Sequence, residues 1–151
     1  MPFHQVDISE KPVVYREAVA KGRIKLKRST LELIRQRKLE KGDAVSLAEV
    51  AAISGSKRTP ELVALCHSLK IEEVKPSVKL GDGWVEVTVK VATHEKTGVE
   101  MEALTAVSAA LLNIWDVTKA YEKDADGQYP GTAIESIKVV KKVKGTMQHH
   151  L

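Results

Sequence analysis

The sequence is poor in aromatic residues and contains a single cysteine. Aromatic side chains make up 4% of its 151 residues, so valine, leucine, isoleucine and alanine must fill the core. A lone cysteine excludes an internal disulfide and suits a reducing compartment. No apolar run approaches the roughly 20 residues that a membrane-spanning helix needs, and the opening MPFHQVDISEK resembles neither a signal peptide nor a basic transit segment. We therefore expect a cytoplasmic protein with no membrane partner.

The chain also lacks the short motifs that identify many enzymes. It has no Walker loop, GxGxxG, HExxH or GxSxG, and no internal repeat, low-complexity tract or linker. Its net charge of +4 is compatible with an anionic ligand but too weak to indicate a nucleic-acid partner. With 43% hydrophobic and 29% charged residues, the composition is that of a globular domain. We expect one domain with its core in residues 3–143 and a loose polar tail over residues 144–151.

The longest helical pattern runs from Thr97 to Lys119. Thr97 and Glu100 have the spacing of a capping box, which predicts that the helix begins there. Asp116 and Lys119 are three residues apart and share one side of the helix. They form either a surface ion pair or an acid/base pair. The apolar stripe of this helix consists of Leu104, Val107, Leu111, Ile114 and Trp115.

Three shorter helices are predicted before it. Ser29 and Glu32 form a second capping box for a helix that reaches Leu39. Asp43 is a good N-cap for a largely buried helix over residues 44–54, which Gly55 should end. A short helix then starts at Thr59 as N-cap, with Pro60 at its first position.

The strand signals are weaker at the ends of the chain than in its middle. Alternation of apolar and polar residues predicts strands at 24–26, 74–80, 85–91 and 133–143, with a short strand or ordered arm at 3–8. Gly81-Asp82-Gly83 predicts a hairpin turn between the second and third strands. Pro76 indicates that the second strand lies at an edge of the sheet or carries a bulge.

This order of elements predicts an α+β fold of the ferredoxin-like, split βαβ kind. Its antiparallel β-sheet carries helices on one face. The other face remains uncovered, and we expect an oligomer because the valine-rich strands then need partners.

Two segments outside the long helix are candidates for chemistry. Lys57 and Arg58 lie beside a predicted helix N-terminus, as an anion site would have them, or they belong to a solvated basic loop. Cys66 and His67 lie in an apolar run, where a histidine is a functional group or a satisfied core residue. Since no second cysteine completes a zinc site, we predict no structural or catalytic transition metal.

Several stretches resemble the cyclic pyranopterin monophosphate synthase family, molybdenum cofactor biosynthesis protein C. The specific ones are KTGVEMEALTAVSAAL from Lys96 and GSKRTPELVALCHSL from Gly55. VDISEKPVVYREA from Val6 and KGDAV from Lys41 support them, and the resemblance extends to about Val143.

The resemblance implies a ferredoxin-like hexamer built of dimers, with active sites at subunit contacts. The family converts a small-molecule, GTP-derived substrate, a cyclised dihydro-GTP, to cyclic pyranopterin monophosphate with release of pyrophosphate. No cofactor is expected. The family's site residues fall here on Lys57, on Leu65, Cys66 and His67, on Met101 and Glu102, and on Asp116 and Lys119.

The residue types suit this chemistry. A triphosphate needs cations, for which Lys57, Arg58 and Arg16 are available. Ring opening and pterin formation need proton transfers, which Asp116 and Lys119 can serve if burial and their mutual contact tune their pKa values. His67 and Glu102 are candidates for holding the base portion.

The sequence departs from the family pattern at two places. Ser68 stands where proline commonly follows the histidine. The Gly/Ser/Lys-rich C-terminal loop of the family is reduced to Lys142, Lys144 and Gly145.

Two other functional classes are compatible with the fold. A non-catalytic nucleotide-binding regulatory module would bind GTP-like anions without turnover. An RNA-binding domain is disfavoured because the strands lack aromatic residues that stack on bases, Trp84 standing alone.

Overall fold

The computed structural model describes residues 2–145, which contain four strands and four helices. No helix within these residues is long and apolar enough to cross a membrane. The predicted tail lies outside the described residues from position 146 onward. The elements are β1 (Val14–Lys25), α1 (Arg28–Arg35), α2 (Ala44–Lys57), α3 (Thr59–Leu62), β2 (Glu73–Leu80), β3 (Trp84–Glu95), α4 (Glu100–Glu122) and β4 (Ala133–Lys144).

The strands form one antiparallel sheet in the order β2-β3-β1-β4. Helices α1 to α3 occupy the connection from β1 to β2, and α4 occupies the connection from β3 to β4. The predicted α+β fold is confirmed, and its β-α-β-β-α-β order is the ferredoxin-like one. Pro76 lies in β2, an edge strand, as its missing N–H requires.

The core lies between the sheet and the two long helices α2 and α4. The alternating valines of β3 point into it, and Val85, Val87, Val89 and Val91 are at most 1% exposed. From the α4 stripe, Leu111 is equally inaccessible. Each such side chain stabilises the fold by roughly 1.5–3 kcal/mol when fully buried, so the period-two pattern of β3 fixes which face of the sheet receives the helices.

On β3 the open face of the sheet is polar. Glu86, Thr88 and Lys90 alternate with the buried valines of β3 and lie on this face. Exposed apolar side chains lie on β4 (Ile137, Val139 and Val140), on α2 (Val50 and Ile53) and on α4 (Met101 and Leu112). The prediction that α2 is buried nearly all round is therefore wrong.

Both predicted capping boxes are absent because distant side chains contact these helix ends. Helix α4 starts at Glu100 with no side-chain cap, and the Glu100 carboxylate accepts from Lys142 instead, at 3.1 Å. Helix α1 starts at Arg28 and ends at Arg35, short of Leu39. At its start, the buried Glu122 carboxylate accepts from the Lys27 amide at 3.0 Å.

The other helix signals have mixed outcomes. Asp43 caps α2 as predicted, accepting from the Ser46 amide. Gly55, predicted to end this helix, lies inside it. A Cβ at Gly55 would stand 2.7 Å from the Cβ of Ala109 on α4, so the glycine permits close helix contact. Helix α3 begins at Thr59, one residue before the predicted start, so Pro60 is its second residue and Arg58 takes the cap position expected of Thr59.

The largest missed segment is residues 14–23, ten of the twelve residues of β1. Only residues 24–26 were predicted as strand, whereas β1 starts at Val14 and pairs with β3 on one side and β4 on the other. Pairing with a strand on each side stabilises β1 as a strand, although its mixed sequence does not predict one. Residues 3–8 form the arm that was one of the two alternatives, since no strand is assigned there.

Candidate functional site

A cleft of about 340 Å³ lies at the N-terminal end of α4. One wall is the segment that follows α3, where Leu65, Cys66 and His67 line the cleft. The opposite wall is the loop before α4 and its first turn, including Glu100 and Met101. Four of the predicted site residues, Leu65, Cys66, His67 and Met101, therefore meet at one cavity.

Glu102 lies behind this wall and is the most deeply buried of the predicted residues. It is 1% exposed, and its Oε2 accepts from the Cys66 thiol at 3.7 Å. Its Oε1 has no hydrogen-bond partner among residues 2–145. Burial raises the pKa of the Glu102 carboxyl, because removal from water disfavours its charged form.

The neighbouring thiol responds in the same direction. Burial raises the pKa of Cys66, and the nearby Glu102 carboxylate raises it further. A thiol with a raised pKa keeps its proton and is a poor nucleophile. Cys66 therefore serves as a hydrogen-bond donor to Glu102, which suits a lining residue.

The second group of predicted residues lies near the other end of α4. Asp116 and Lys119 form an ion pair with 2.9 Å between Oδ1 and Nζ. Lys41 approaches the same carboxylate, with its Nζ 3.3 Å from Oδ2. Lys41 follows α1 in the chain and belongs to the KGDAV stretch. No sequence pattern predicts a role for it, because its approach to Asp116 depends on the tertiary fold.

The two lysines determine the titration of this cluster. Hydrogen bonds from Lys119 and Lys41 lower the pKa of Asp116, and the Asp116 carboxylate raises the pKa of Lys119. The side chains of Asp116 and Lys119 are 54% and 41% exposed in the single chain. Mutual contact is therefore the main cause that shifts the pKa values of Asp116 and Lys119, and burial, the other expected cause, is not.

These two groups are far apart in one chain. Glu102 and Asp116 are fourteen residues apart on one continuous helix, which corresponds to roughly 21 Å at the helical rise. The single chain therefore does not bring the residues at the cleft together with the Asp116 cluster.

The predicted phosphate-binding cations have different surroundings. Lys57 ends α2 and is exposed. Arg58 pairs with Glu61 at 3.7 Å on the surface. Arg16 is 4% exposed, and its guanidinium donates to the backbone carbonyls of Glu95 and Lys96. Arg16 thus supports the strand end that leads into the cleft wall, and its role toward phosphate stays a prediction.

The end of β4 supplies a further cation to the cleft. Lys142, one of the few residues left of the family's C-terminal loop, reaches Glu100 on the cleft wall at 3.1 Å. Among residues 2–145, no group of three or more histidine, cysteine or acidic side chains is placed to hold a metal ion. The cleft and its rim are therefore built from carboxyl, imidazole, thiol and ammonium groups.

Comparison with known proteins gives one consistent result. The sequence matches the MoaC family over residues 5–145. It is 54% identical to a probable cyclic pyranopterin monophosphate synthase of Thermococcus kodakarensis over 93% of this chain and 90% of that protein. Proteins of the same name from Pyrococcus horikoshii and Aeropyrum pernix are 55% and 54% identical, over 92% and 93% of this chain and 87% and 96% of their own lengths.

Proposed function

The chain belongs to the MoaC family, and on that premise we propose that it is a cyclic pyranopterin monophosphate synthase. It is an enzyme of molybdenum cofactor biosynthesis, a lyase that converts (8S)-3',8-cyclo-7,8-dihydroguanosine 5'-triphosphate to cyclic pyranopterin monophosphate and pyrophosphate. The observation that carries the proposal is identity above one half over nearly the full length of relatives with this name. The single cysteine fits a cytoplasmic location.

The two ends of α4 suit different parts of this reaction. We assign the proton transfers to Asp116 and Lys119. Their contact makes Asp116 a weaker base and Lys119 a weaker acid than usual, so the bound substrate must separate them before either acts. Together they can move protons while the cyclised base opens and the pterin ring forms. Glu102 holds its proton more tightly than an ordinary carboxyl, so it suits hydrogen bonding to the base portion together with His67.

The leaving group requires positive charge. Closing the cyclic phosphate forms a new phosphorus–oxygen bond at the α-phosphate and expels pyrophosphate, whose oxygens gain charge as it departs. Lys57 and Arg58 at the end of α2 can stabilise that charge. Arg58 must then exchange its surface pair with Glu61 for the phosphate.

One active site needs both ends of α4, so we propose that two chains build it. In an antiparallel dimer, the Glu102 end of one helix meets the Asp116 end of its partner. Exposed Val50, Ile53 and Leu112 on the helical layer provide apolar surface for such contacts. A hexamer built of such dimers is the expected assembly, and light scattering that gave a stable monomer of 16.6 kDa would contradict it.

The function is tested by incubating the purified protein with the cyclised dihydro-GTP. We expect stoichiometric pyrophosphate together with cyclic pyranopterin monophosphate. Binding of the substrate without either product would instead identify the nucleotide-binding regulatory module. Failure to bind the substrate, with binding to single-stranded RNA, would favour the third class.

A further inference from the structure

The N-terminal arm, residues 5–9, lies beside the cleft and contacts the segments that form both of its walls. On one wall, the Gln5 side chain donates to the carbonyl of Cys66 at 3.1 Å. On the other, the Lys96 ammonium donates to the carbonyl of Ser9 at 3.3 Å. Lys96 directly precedes Thr97 and Gly98, which line the cleft. The arm contains no helix or strand, so these contacts determine its position.

Between these attachments, the arm contacts His67. The His67 Nε2 lies 2.6 Å from the carbonyl oxygen of Val6. A carbonyl oxygen only accepts hydrogen bonds, so Nε2 must carry the proton. In the neutral imidazole, Nδ1 is then the unprotonated nitrogen, with a lone pair available as acceptor.

We propose that the arm is a positioning element that fixes the Nε2–H form of His67, so that His67 meets the substrate as an acceptor through Nδ1. The ligand group facing His67 would then be an N–H or O–H donor, such as those on a reduced guanine-derived ring. The substrate's identity rests on the function proposed above, whereas the protonation of His67 does not.

The arm contributes little to the core, so the proposal can be tested by substitutions in the full chain. Phe3 and Val6 are 59% and 63% exposed, and the buried core begins only at Tyr15. Replacing Gln5 and Val6 by glycine removes the Gln5 attachment and raises the flexibility of the segment that carries the carbonyl. The matched control is Phe3→Gly/His4→Gly, which adds the same number of glycines beside the contact.

The first readout is nitrogen-15 NMR of the histidine rings, assigned by comparison with His67→Gln. In the wild type we expect a slowly exchanging Nε2–H signal from His67. Gln5→Gly/Val6→Gly should lose that signal by exchange with water, while the control keeps it. A wild-type His67 protonated at Nδ1 would overturn the proposal without reference to activity.

The second readout is single-turnover pyrophosphate release beside a thermal melt. Because the arm no longer holds the His67 ring, Gln5→Gly/Val6→Gly should release pyrophosphate roughly 10- to 100-fold more slowly than the wild type, the scale of a misplaced catalytic-site group. Its melting temperature should be unchanged. Loss of the NMR signal with a normal rate, or a slower rate with the signal intact, would each overturn the positioning role. If the wild type releases no pyrophosphate, the function proposed above fails and the NMR comparison alone decides the proposal.

Discussion

The two ends of α4 carry carboxyl groups in opposite environments. Glu102 is buried, and within the described part of the chain one of its oxygens has no hydrogen-bond partner; burial raises its pKa. Asp116 is half exposed between Lys119 and Lys41, and its pKa is lowered by their hydrogen bonds. Groups whose surroundings push their pKa values apart suit different roles in acid–base chemistry. One helix thus presents a carboxyl whose pKa is raised at one end and a carboxylate whose pKa is lowered at the other.

The largest effect is expected from Asp116→Asn. The amide cannot accept a proton, so turnover should fall roughly 100-fold or more, the usual scale of general acid–base catalysis. Because the side chain is on the surface, the fold and substrate binding should persist. The measurement is single-turnover pyrophosphate release with a thermal melt.

The chain offers a matched control for that variant. Asp82 is also an exposed aspartate in an ion pair, with Arg28 at 3.0 Å, but it lies in the hairpin turn. Asp82→Asn should leave the rate unchanged. A normal rate in Asp116→Asn would remove Asp116 from the mechanism and leave the Asp116–Lys119 contact as a surface pair.

Lys57→Ala probes the cation at the end of α2, beside the Glu102 end of α4. If Lys57 mainly holds phosphate, KM should rise about 10-fold, with a smaller fall in turnover, because a ground-state contact has been removed. Steady-state pyrophosphate release separates the two constants. The exposed Lys79 of β2 supplies the control, Lys79→Ala. A steep fall in turnover with unchanged KM would instead assign Lys57 to pyrophosphate departure or to a proton step.

The smallest effect is expected from Glu102→Gln on stability. A carboxyl whose folded-state pKa is raised above its ordinary value of 4.5 contributes stability that is fully present below the unfolded pKa. That contribution is lost as the pH rises through the folded pKa. Wild type should therefore lose stability from about pH 4.5 upward, while Glu102→Gln should not. At neutral pH the variant should therefore be more stable than the wild type.

Denaturant melts across this pH range measure the effect. Glu32→Gln is the control, since Glu32 is an exposed glutamate that pairs with Arg35 within α1. Identical pH slopes for wild type and Glu102→Gln would show that burial does not hold the Glu102 proton.

The elements that were predicted well are those whose signals are local. The valines of β3, the Gly81–Gly83 turn and the Asp43 cap each act within a few residues, and each appears as expected. The failures have a common cause. The start of α1 is set by Glu122, far away in sequence, and the position of Gly55 by Ala109 on another helix. The spacing of residues along the sequence does not indicate contacts between residues so far apart.

The candidate site divides in the same way. Asp116 and Lys119 could be paired from their spacing, and Cys66, His67 and Glu102 were identified by resemblance. Lys41 joins Asp116 from beyond α1, and no local pattern indicates that contact. The opposite burial of Glu102 and Asp116 was not predictable either, because both lie on the same helix and only the packing around each differs.

We propose that one active site needs the Glu102 end of one chain and the Asp116 end of another. The test mixes two variants, Asp116→Asn and Glu102→Ala, whose methyl group can make no hydrogen bond to the base portion, after unfolding and refolding them together. Each alone should be nearly inactive, whereas a mixed dimer holds one site with both native residues. Pyrophosphate release should therefore return to about a quarter of the wild-type rate at equal mixing. A mixture no more active than either variant alone would contradict the two-chain site.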